Sequence, residues 1–414
     1  MADDNPGATG AATALPRVAV VTCSYFPEDM RVRREAEALV AAGFSVDLLC
    51  LRRRTEPARE FLLGINVHRL PLERRRGGKL RYLYQYAFCF LLVFFRLAWL
   101  RLKNRYDLVH VHNMPDAMIF AAIVPKLTGA KLVLDISDPM PEVFMTKFGL
   151  PRDHLFIRLV TLQERWSTSF AHWVVTPNIS FRDILVERSC PGEKVGIVMN
   201  MPPEGIFAGS KNKDSRTTGD PDSFTVMYHG TIVKRHGLHI ALEALAMVRE
   251  KIGGLKLQVY GEGEFVDPFL EAARALNLQD MVVYNGFVPI EKIVGEIGRC
   301  DVGIVPNMPG PFTEINLPTR IFEFLVLGKP VISPRTMGIL DYFDDETMFF
   351  FEPGDARSLA DCLLKVHGDP EDVAGKIEKG IAVCREYSWE KEERKFVARI
   401  NDLLNRRSCA TDRA

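Results

Sequence analysis

Short apolar runs separated by amphipathic stretches recur along the chain, and their order predicts alternating strands and helices. The run Arg17-Val18-Ala19-Val20-Val21-Thr22-Cys23 reads as a strand buried on both faces of a parallel sheet. A loop over 24–30, a helix from about Arg31 to Ala42 stopped by Gly43, and a strand over Ser45–Cys50 make a β-α-β unit. Val67–Leu70 is short strand material. Tyr106–His112 predicts a strand, Ala117–Leu127 a helix, Lys131–Ile136 a strand, and Trp173–Thr176 and Val195–Met199 complete a first α/β domain over 17–200. Residues 201–223 change character, and 211–222 have no apolar periodicity, as in a linker. A second alternation over 224–387 starts at Phe224–Tyr228. It continues through helix His239–Lys251, strand Leu255–Tyr260, helix Asp267–Leu276, strand Met281–Tyr284, helix Ile290–Arg299 and strand Val302–Pro306. The fold class expected is α/β, with two Rossmann-like doubly wound domains facing a central cleft. Ligands bind at the carboxyl ends of such sheets.

The stretch Asn316–Ile332 departs from pure packing. Pro318 suits a first helical turn, Gly328 the left-handed residue after a helix, and Pro330 forbids continuation. The helix between them is apolar nearly all round and is expected to be buried. Arg320 and Glu323 share one face of it, and buried charges need partners. They either pair with each other or face a ligand, a cation for an anionic group and a carboxylate for hydroxyls.

The chain has 414 residues, 47% hydrophobic and 26% charged, enough for two or three soluble domains. Its 53 basic and 53 acidic residues cancel, so no global charge argues for nucleic acid. Eight scattered cysteines with no C-x-x-C fit reduced thiols in a cytosolic protein. Residues 1–16 are polar and Ala/Gly-rich, unlike a signal peptide, and are expected to be disordered.

Several strand ends carry chemistry. Gly230-Thr231 ends the first strand of the second domain, and Lys234-Arg235-His236-Gly237 follows. Backbone N–H groups beside a guanidinium make an anion site, although a solvated basic turn has the same residues. Gly261-Glu262-Gly263 ends another strand without the third glycine of a dinucleotide fingerprint, and no G-x-G-x-x-G follows the first strand. His110 and His112 share a strand face, but no third metal ligand is spaced to join them, so a buried His110 and a loop-edge His112 are expected. Asp29 and Arg31 follow the first strand, where acceptor contact, a helix N-cap or a surface charge are all compatible.

Taken in order, these pieces resemble the GT-B-fold retaining glycosyltransferases of family 4. The likeness rests on Gly230-Thr231 with Arg235-x-Gly237, Val259–Gly263, Asn285–Val288, Cys300–Pro306 and Leu317-Pro318-x-Arg320-x-x-Glu323 before Gly328–Ile332. In the first half it rests on Phe26–Glu35, Tyr106–Asn113, Asp135-Ile136-x-Asp138-x-x-Pro141-Glu142 and Val198–Asn200. Tyr387–Glu390 resembles the start of the family's final helix, here 388–405, which would complete the first domain. The resemblance implies a UDP- or GDP-sugar donor held by Gly230, Thr231, Arg235, Gly261, Glu262, Asn316, Leu317, Arg320 and Glu323. Arg235 and Arg320 would stabilise the departing diphosphate, and Glu323 would accept from ribose hydroxyls. Asp29, Arg31, His112, Asn113, Ser137 and Asp138 would lie on the acceptor side, where a glycan or lipid-linked acceptor binds. No metal or other cofactor is implied. Ile315, with Glu314 beside it, stands where many relatives have a sugar-contacting glutamate, Ser137 where many have a histidine, and His236 where lysine is usual. An epimerase or hydrolase of the same fold, or a catalytically silent nucleotide-sugar-binding subunit, are the competing readings. The pathway expected is assembly of envelope, exopolysaccharide or lipid-linked glycans.

One stretch remains. Tyr82–Phe95 is uncharged and aromatic, shorter than the roughly 20 residues of a spanning helix, and interrupted by Gln85. Arg74, Arg75, Arg76, Lys79 and Arg81 precede it, and Arg96, Arg101, Lys103 and Arg105 follow. Residues 74–105 are therefore expected either to touch an anionic membrane from the cytoplasmic side or to form a core helix with a solvated basic end.

Overall fold

The computed structural model describes residues 15–73, 79–103, 105–202, 204–207 and 223–405. Residues 1–14 of the expected tail, 208–222 of the expected linker, and Arg74, Arg75 and Arg76 lie outside these. Two compact units share the chain: Met1–Asp135 with Phe170–His172 and Val397–Ala414, and Ile136–Ser169 with Trp173–Phe396.

The first unit contains β1 (Arg17–Val21), α1 (Met30–Ala41), β2 (Ser45–Leu51), β3 (Arg59–Leu62), β4 (Ile65–Leu70), α2 (Lys79–Lys103), β5 (Leu108–His112), α3 (Ile123–Leu127) and β6 (Lys131–Asp135). Its strands run in the order β3-β4-β2-β1-β5-β6. All pair in parallel except the antiparallel hairpin of β3 and β4. Val18 sits between Val46 and Leu108 in register, and all three are buried, as a doubly covered parallel sheet requires. The hairpin strand β3 was not anticipated, because its residues form a largely exposed edge without clean alternation. The helix expected over Ala117–Leu127 is instead a 3-10 turn over Asp116–Ala122 that runs into α3.

The second unit opens with α4 (Met140–Phe148), α5 (Leu155–Phe170), β7 (Trp173–Thr176), α6 (Ile179–Arg188), β8 (Val195–Ile197) and α7 (Glu204–Phe207). It continues with β9 (Phe224–His229), α8 (Leu238–Val248), β10 (Leu255–Tyr260), α9 (Val266–Ala275), β11 (Val282–Tyr284), α10 (Ile290–Arg299), β12 (Val302–Ile304), α11 (Pro311–Ile315) and α12 (Thr319–Val326). Last come β13 (Val331–Pro334), α13 (Met337–Leu340), β14 (Phe349–Phe351), α14 (Ala356–Gly368), α15 (Pro370–Glu386) and α16 (Trp389–Asn405), of which residues from 397 belong to the first unit. Six strands form one parallel sheet, β11-β10-β9-β12-β13-β14.

Helix α12 differs from its expectation twice. Pro318 is the cap before the helix rather than its first residue. The helix is also not fully buried all round: Ile321, Phe322, Phe324 and Leu325 are buried, while Arg320 and Glu323 are half-buried. Phe324 reaches the sheet because Gly303 has no side chain; a Cβ there would stand 2.4 Å from the ring.

Helices α4, α5 and α6 are tied by charge. Arg188 on α6 meets Glu142 on α4 and Glu164 on α5, with the Arg188 Nη2 to Glu164 Oε2 contact at 2.7 Å. Exposure is 7% for Arg188, 6% for Glu142 and 0% for Glu164. Removing one member of such a network strands charge out of water. Arg188→Ala should cost about 3–5 kcal/mol of unfolding free energy. Urea titration checks this, and adding Glu142→Gln and Glu164→Gln to that variant should restore part of the loss.

Candidate functional site

In the second unit the carboxyl ends of β9, β10 and β12 converge backbone to backbone. Gly230 N donates to Tyr260 O at 3.0 Å, Ile232 N to Glu262 O at 2.9 Å, and Met308 N to Arg235 O at 2.9 Å. Gly261 (φ +132°) lies so close to this chain that a Cβ would stand 1.9 Å from Gly230 O. Gly230 itself (φ +123°) presents its bare α-carbon to Arg320, whose Nη2 would lie 2.9 Å from a Cβ there.

Arg320 lies over the Tyr228 ring at 4.6 Å, and its buried Nη1 has no hydrogen-bond partner among the described residues. Arg235, in the 3-10 turn over 234–236, lies 5.9 Å from the Phe312 ring, and its buried Nε likewise lacks a partner among them. Both guanidiniums act on His236, which burial first and these charges second pull down to about 3. Its Nδ1 is 2.7 Å from Thr231 O, which also accepts from the Tyr228 hydroxyl at 2.7 Å. Glu323 Oε2 lies 3.3 Å from His229 Nε2. The structure thus gathers Gly230, Thr231, Arg235, Gly261, Arg320 and Glu323 around the ends of β9 and β10. Asn316 and Leu317 are half-buried just before α12. Glu262 shares the β10 turn through its carbonyl. Ile315 is 3% exposed and packs with Phe181 and Phe312, while Glu314 Oε1 accepts from Met337 N at the start of α13. Tyr228, His229 and Asn307 were not singled out from sequence. Asn307, 2% exposed, keeps a buried Oδ1 without a hydrogen-bond partner among the described residues.

The first unit gathers its own cluster. Asp29 caps α1 by accepting from Val32 N at 3.3 Å, which selects the N-cap reading of its geometry. Arg31 is not a surface charge: it is 8% exposed, with Nε 2.8 Å from Asp135 Oδ2 and Nη2 3.3 Å from Glu35 Oε1. His110 and His112 face the same two carboxylates, and His112, the last residue of β5, is buried at that loop edge. Glu35 and Asp135 are thus the partners that spacing alone did not suggest for the histidines. Burial lowers His110 well below its ordinary value. Burial also lowers His112, but the Asp135 hydrogen bond reverses this and leaves it raised. Burial pushes Glu35 up. It pushes Asp135 the same way, but Arg31 and His112 more than reverse it. Asn113 donates to Asp116 Oδ1 at 3.0 Å. Ser137 and Asp138, in the second unit, are half-buried just after Ile136.

Helix α2 has two faces. Cys89, Val93, Leu97 and Leu100 are buried, while Tyr84, Leu91, Phe95, Trp99 and Leu102 form an exposed stripe. The helix runs 25 residues, past the uncharged run, and Tyr84–Lys103 is by length and composition alone apolar enough to cross a membrane, although the uncharged run Tyr82–Phe95 itself stays shorter than a span. Arg96 and Lys103 lie 4.8 and 4.3 Å from the Trp99 ring, and Arg59 lies at 5.6 Å. Arg52, Arg53, Arg54 and Tyr84 line a recess beside its first turns.

Two family profiles match: a glycosyl transferase 4-like domain over residues 29–200, and glycosyl transferases group 1 over 223–369. The amylovoran biosynthesis glycosyltransferase AmsK of Erwinia amylovora is 24% identical over 192 residues, 46% of either chain. The putative colanic acid biosynthesis glycosyltransferase WcaL of Escherichia coli K12 is 25% identical over 134 residues, 32% of this chain and 33% of that one. The matched stretch thus spans about half the length of the first relative and a third of the second. Among solved structures, sucrose-phosphate synthase from Thermosynechococcus elongatus superposes with a TM-score of 0.76 at 17% identity, covering 94% of this chain and 99% of that one. Anabaena HepE, in complex with UDP and glucose, superposes at 0.68 and 15% identity, covering 94% and 100%. At such identities the likeness is one of fold.

Burial first and Arg320 second pull His229 down to about 3. An unfolded histidine protonates near 6.5, so the unfolded chain binds more protons as pH falls from there, and stability drops in that direction. His229→Gln should make the fall in unfolding free energy between pH 6.5 and 5 shallower by about 1.4 kcal/mol per pH unit. Urea titrations at several pH values measure this; an unchanged slope would mean that His229 titrates alike in both states.

Proposed function

We propose that this chain, which belongs to the GT-B-fold glycosyltransferases, moves a sugar from a nucleoside diphosphate to a hydroxyl acceptor with retention of configuration. The observation that carries this is the pair of guanidiniums, Arg235 and Arg320, held at glycine-rich strand ends with buried N–H groups unused. Such groups are built for an anion of fixed shape, and a diphosphate offers oxygens to both. Negative charge on the diphosphate grows as the bond to the sugar breaks. Preorganised cations are therefore worth more in the transition state than in the bound donor. Glu323 would accept from ribose hydroxyls in this reading, and His229 lies beside it. Asp29, Arg31, His112, Asn113, Ser137 and Asp138 are proposed to serve the acceptor, directly or by holding its binding surface. The exopolysaccharide relatives support a growing glycan or lipid-linked saccharide as that acceptor. UDP is the base to test first, since it is bound in the HepE structure.

Ile315 and Ser137 favour a second reading, a subunit that binds nucleotide sugar without turning it over. A thermal-shift panel of UDP, GDP and their sugars, followed by product mass with lipid-linked acceptors, separates the two. Glu323→Ala should weaken donor binding by about 1.5–3 kcal/mol. Arg235→Ala should lower kcat by a larger factor than it raises the dissociation constant of the donor. Stabilisation by no nucleoside diphosphate would sink both readings.

The same reading extends to location, a cytoplasmic protein touching an anionic membrane through α2. The exposed stripe offers rings to the headgroup layer, and Arg59, Arg96, Lys103 and the arginine-lined recess offer cations to its lipids. The buried face of α2 packs on its own unit, which favours a helix lying on the bilayer. Liposome flotation should recover the protein with anionic but not neutral vesicles, and less at high salt. Phe95→Ser with Trp99→Ser should abolish recovery; flotation unaffected by the double variant would exclude this surface.

A further inference from the structure

The cluster in the first unit uses more chemistry than charge pairing needs. Glu35 Oε2 lies 3.5 Å from His110 Nε2 and 3.8 Å from His112 Nε2. One ligand atom from each of Glu35, His110, His112 and Asp135 can be chosen so that all lie within 4.8 Å of one another. A tetrahedral zinc ion with bonds of about 2.0–2.1 Å holds its ligand atoms roughly 3.3 Å apart. To reach that spacing the two Glu35–histidine separations close by a few tenths of an ångström, and the widest pair of the set by at most about 1.5 Å.

The remaining atoms of the cluster behave as an outer shell. His112 Nδ1 is 3.3 Å from Asp135 Oδ2, the contact that fixes a metal-binding imidazole with its other nitrogen facing the ion. Arg31 holds Asp135 Oδ2 through Nε and Glu35 Oε1 through Nη2. Glu35 Oε2 is thereby left on the side of the histidines. Neither Glu35 Oε2 nor His112 Nε2 has a hydrogen-bond partner among the described residues, and both atoms are buried. A carboxylate oxygen in that position is costly unless a cation or donor meets it.

We propose that Glu35, His110 and His112 bind one divalent transition ion of the zinc class, with Asp135 and Arg31 as its outer shell. Two imidazoles and one carboxylate suit zinc and cobalt better than magnesium or calcium. The ion would tie α1 to β5 and stabilise the first unit. It involves none of the donor-side residues; it shares Arg31 and His112 with the proposed acceptor side, and metal binding measured by calorimetry reads it separately from sugar transfer.

The test uses the full chain without a histidine tag, stripped with chelator and dialysed, then titrated with zinc chloride and with cobalt chloride. Calorimetry should give one site per chain with a dissociation constant in the micromolar range or tighter, and the melting temperature should rise with metal. His112→Gln and Glu35→Gln should each abolish that binding, and Asp135→Asn should weaken it about 10–100-fold. Should these variants fail to fold, the cobalt spectrum of the natural sequence decides. Visible bands without thiolate charge transfer support an imidazole–carboxylate site, whereas thiolate charge transfer overturns it. Absence of binding up to millimolar metal, or binding unchanged in folded His112→Gln and Glu35→Gln, also overturns it.

Discussion

Backbone packed directly on backbone is the constraint on which the second unit's chemistry depends. A Cβ at Gly261 would stand 1.9 Å from Gly230 O, one at Gly263 1.9 Å from Ile232 O, and one at Gly237 1.8 Å from Pro306 O. Side chains are excluded, so the loops after β9, β10 and β12 run side by side. The space left free over Gly230 is taken by the Arg320 guanidinium, seated on Tyr228. A methyl group at any of these glycines would move the loops apart and lift the cation from its ring. The electrostatics of the site is in this sense a consequence of missing atoms.

The first unit solves the opposite problem. Its strand ends carry large polar side chains into a dry interior, where Arg31, Glu35, His110, His112 and Asp135 pair by charge. Charge buried this way rigidifies the end of the sheet, because no member moves without exposing another.

Much of this was legible in the chain. Val18–Val21 and Val302–Ile304 are strands because continuous apolar runs have few other uses in an α/β protein, and Leu255–Tyr260 is one because Leu255, Leu257 and Val259 alternate with Lys256 and Gln258. Arg320 and Glu323 stood out as charges in an apolar helix, and each meets a partner of its own, Tyr228 and His229. The misses share a physical cause. Glu35 and Asp135 join His110 only through parallel pairing of β5 with β6 and the packing of α1, contacts that no local period encodes. Helix α5 inverts the usual pattern, with Glu164, Ser167 and Thr168 buried while Leu155, Leu159, Leu162 and Trp166 are exposed. Pro318 was placed one step too far into α12, since a cap and a first turn make the same demand on proline.

The strand order of the first unit sets a schedule. β1 lies between β2 and β5, and Arg17 N donates to the Asp107 carboxylate 90 residues later. The innermost strand therefore has only one neighbour until the chain has been made past His112. Such long closure is slow, and surfaces meant for later burial wait in water meanwhile. Helix α2 lies inside that interval, so both its faces, the one destined for the core and the aromatic one, leave the ribosome before the sheet that receives them is complete.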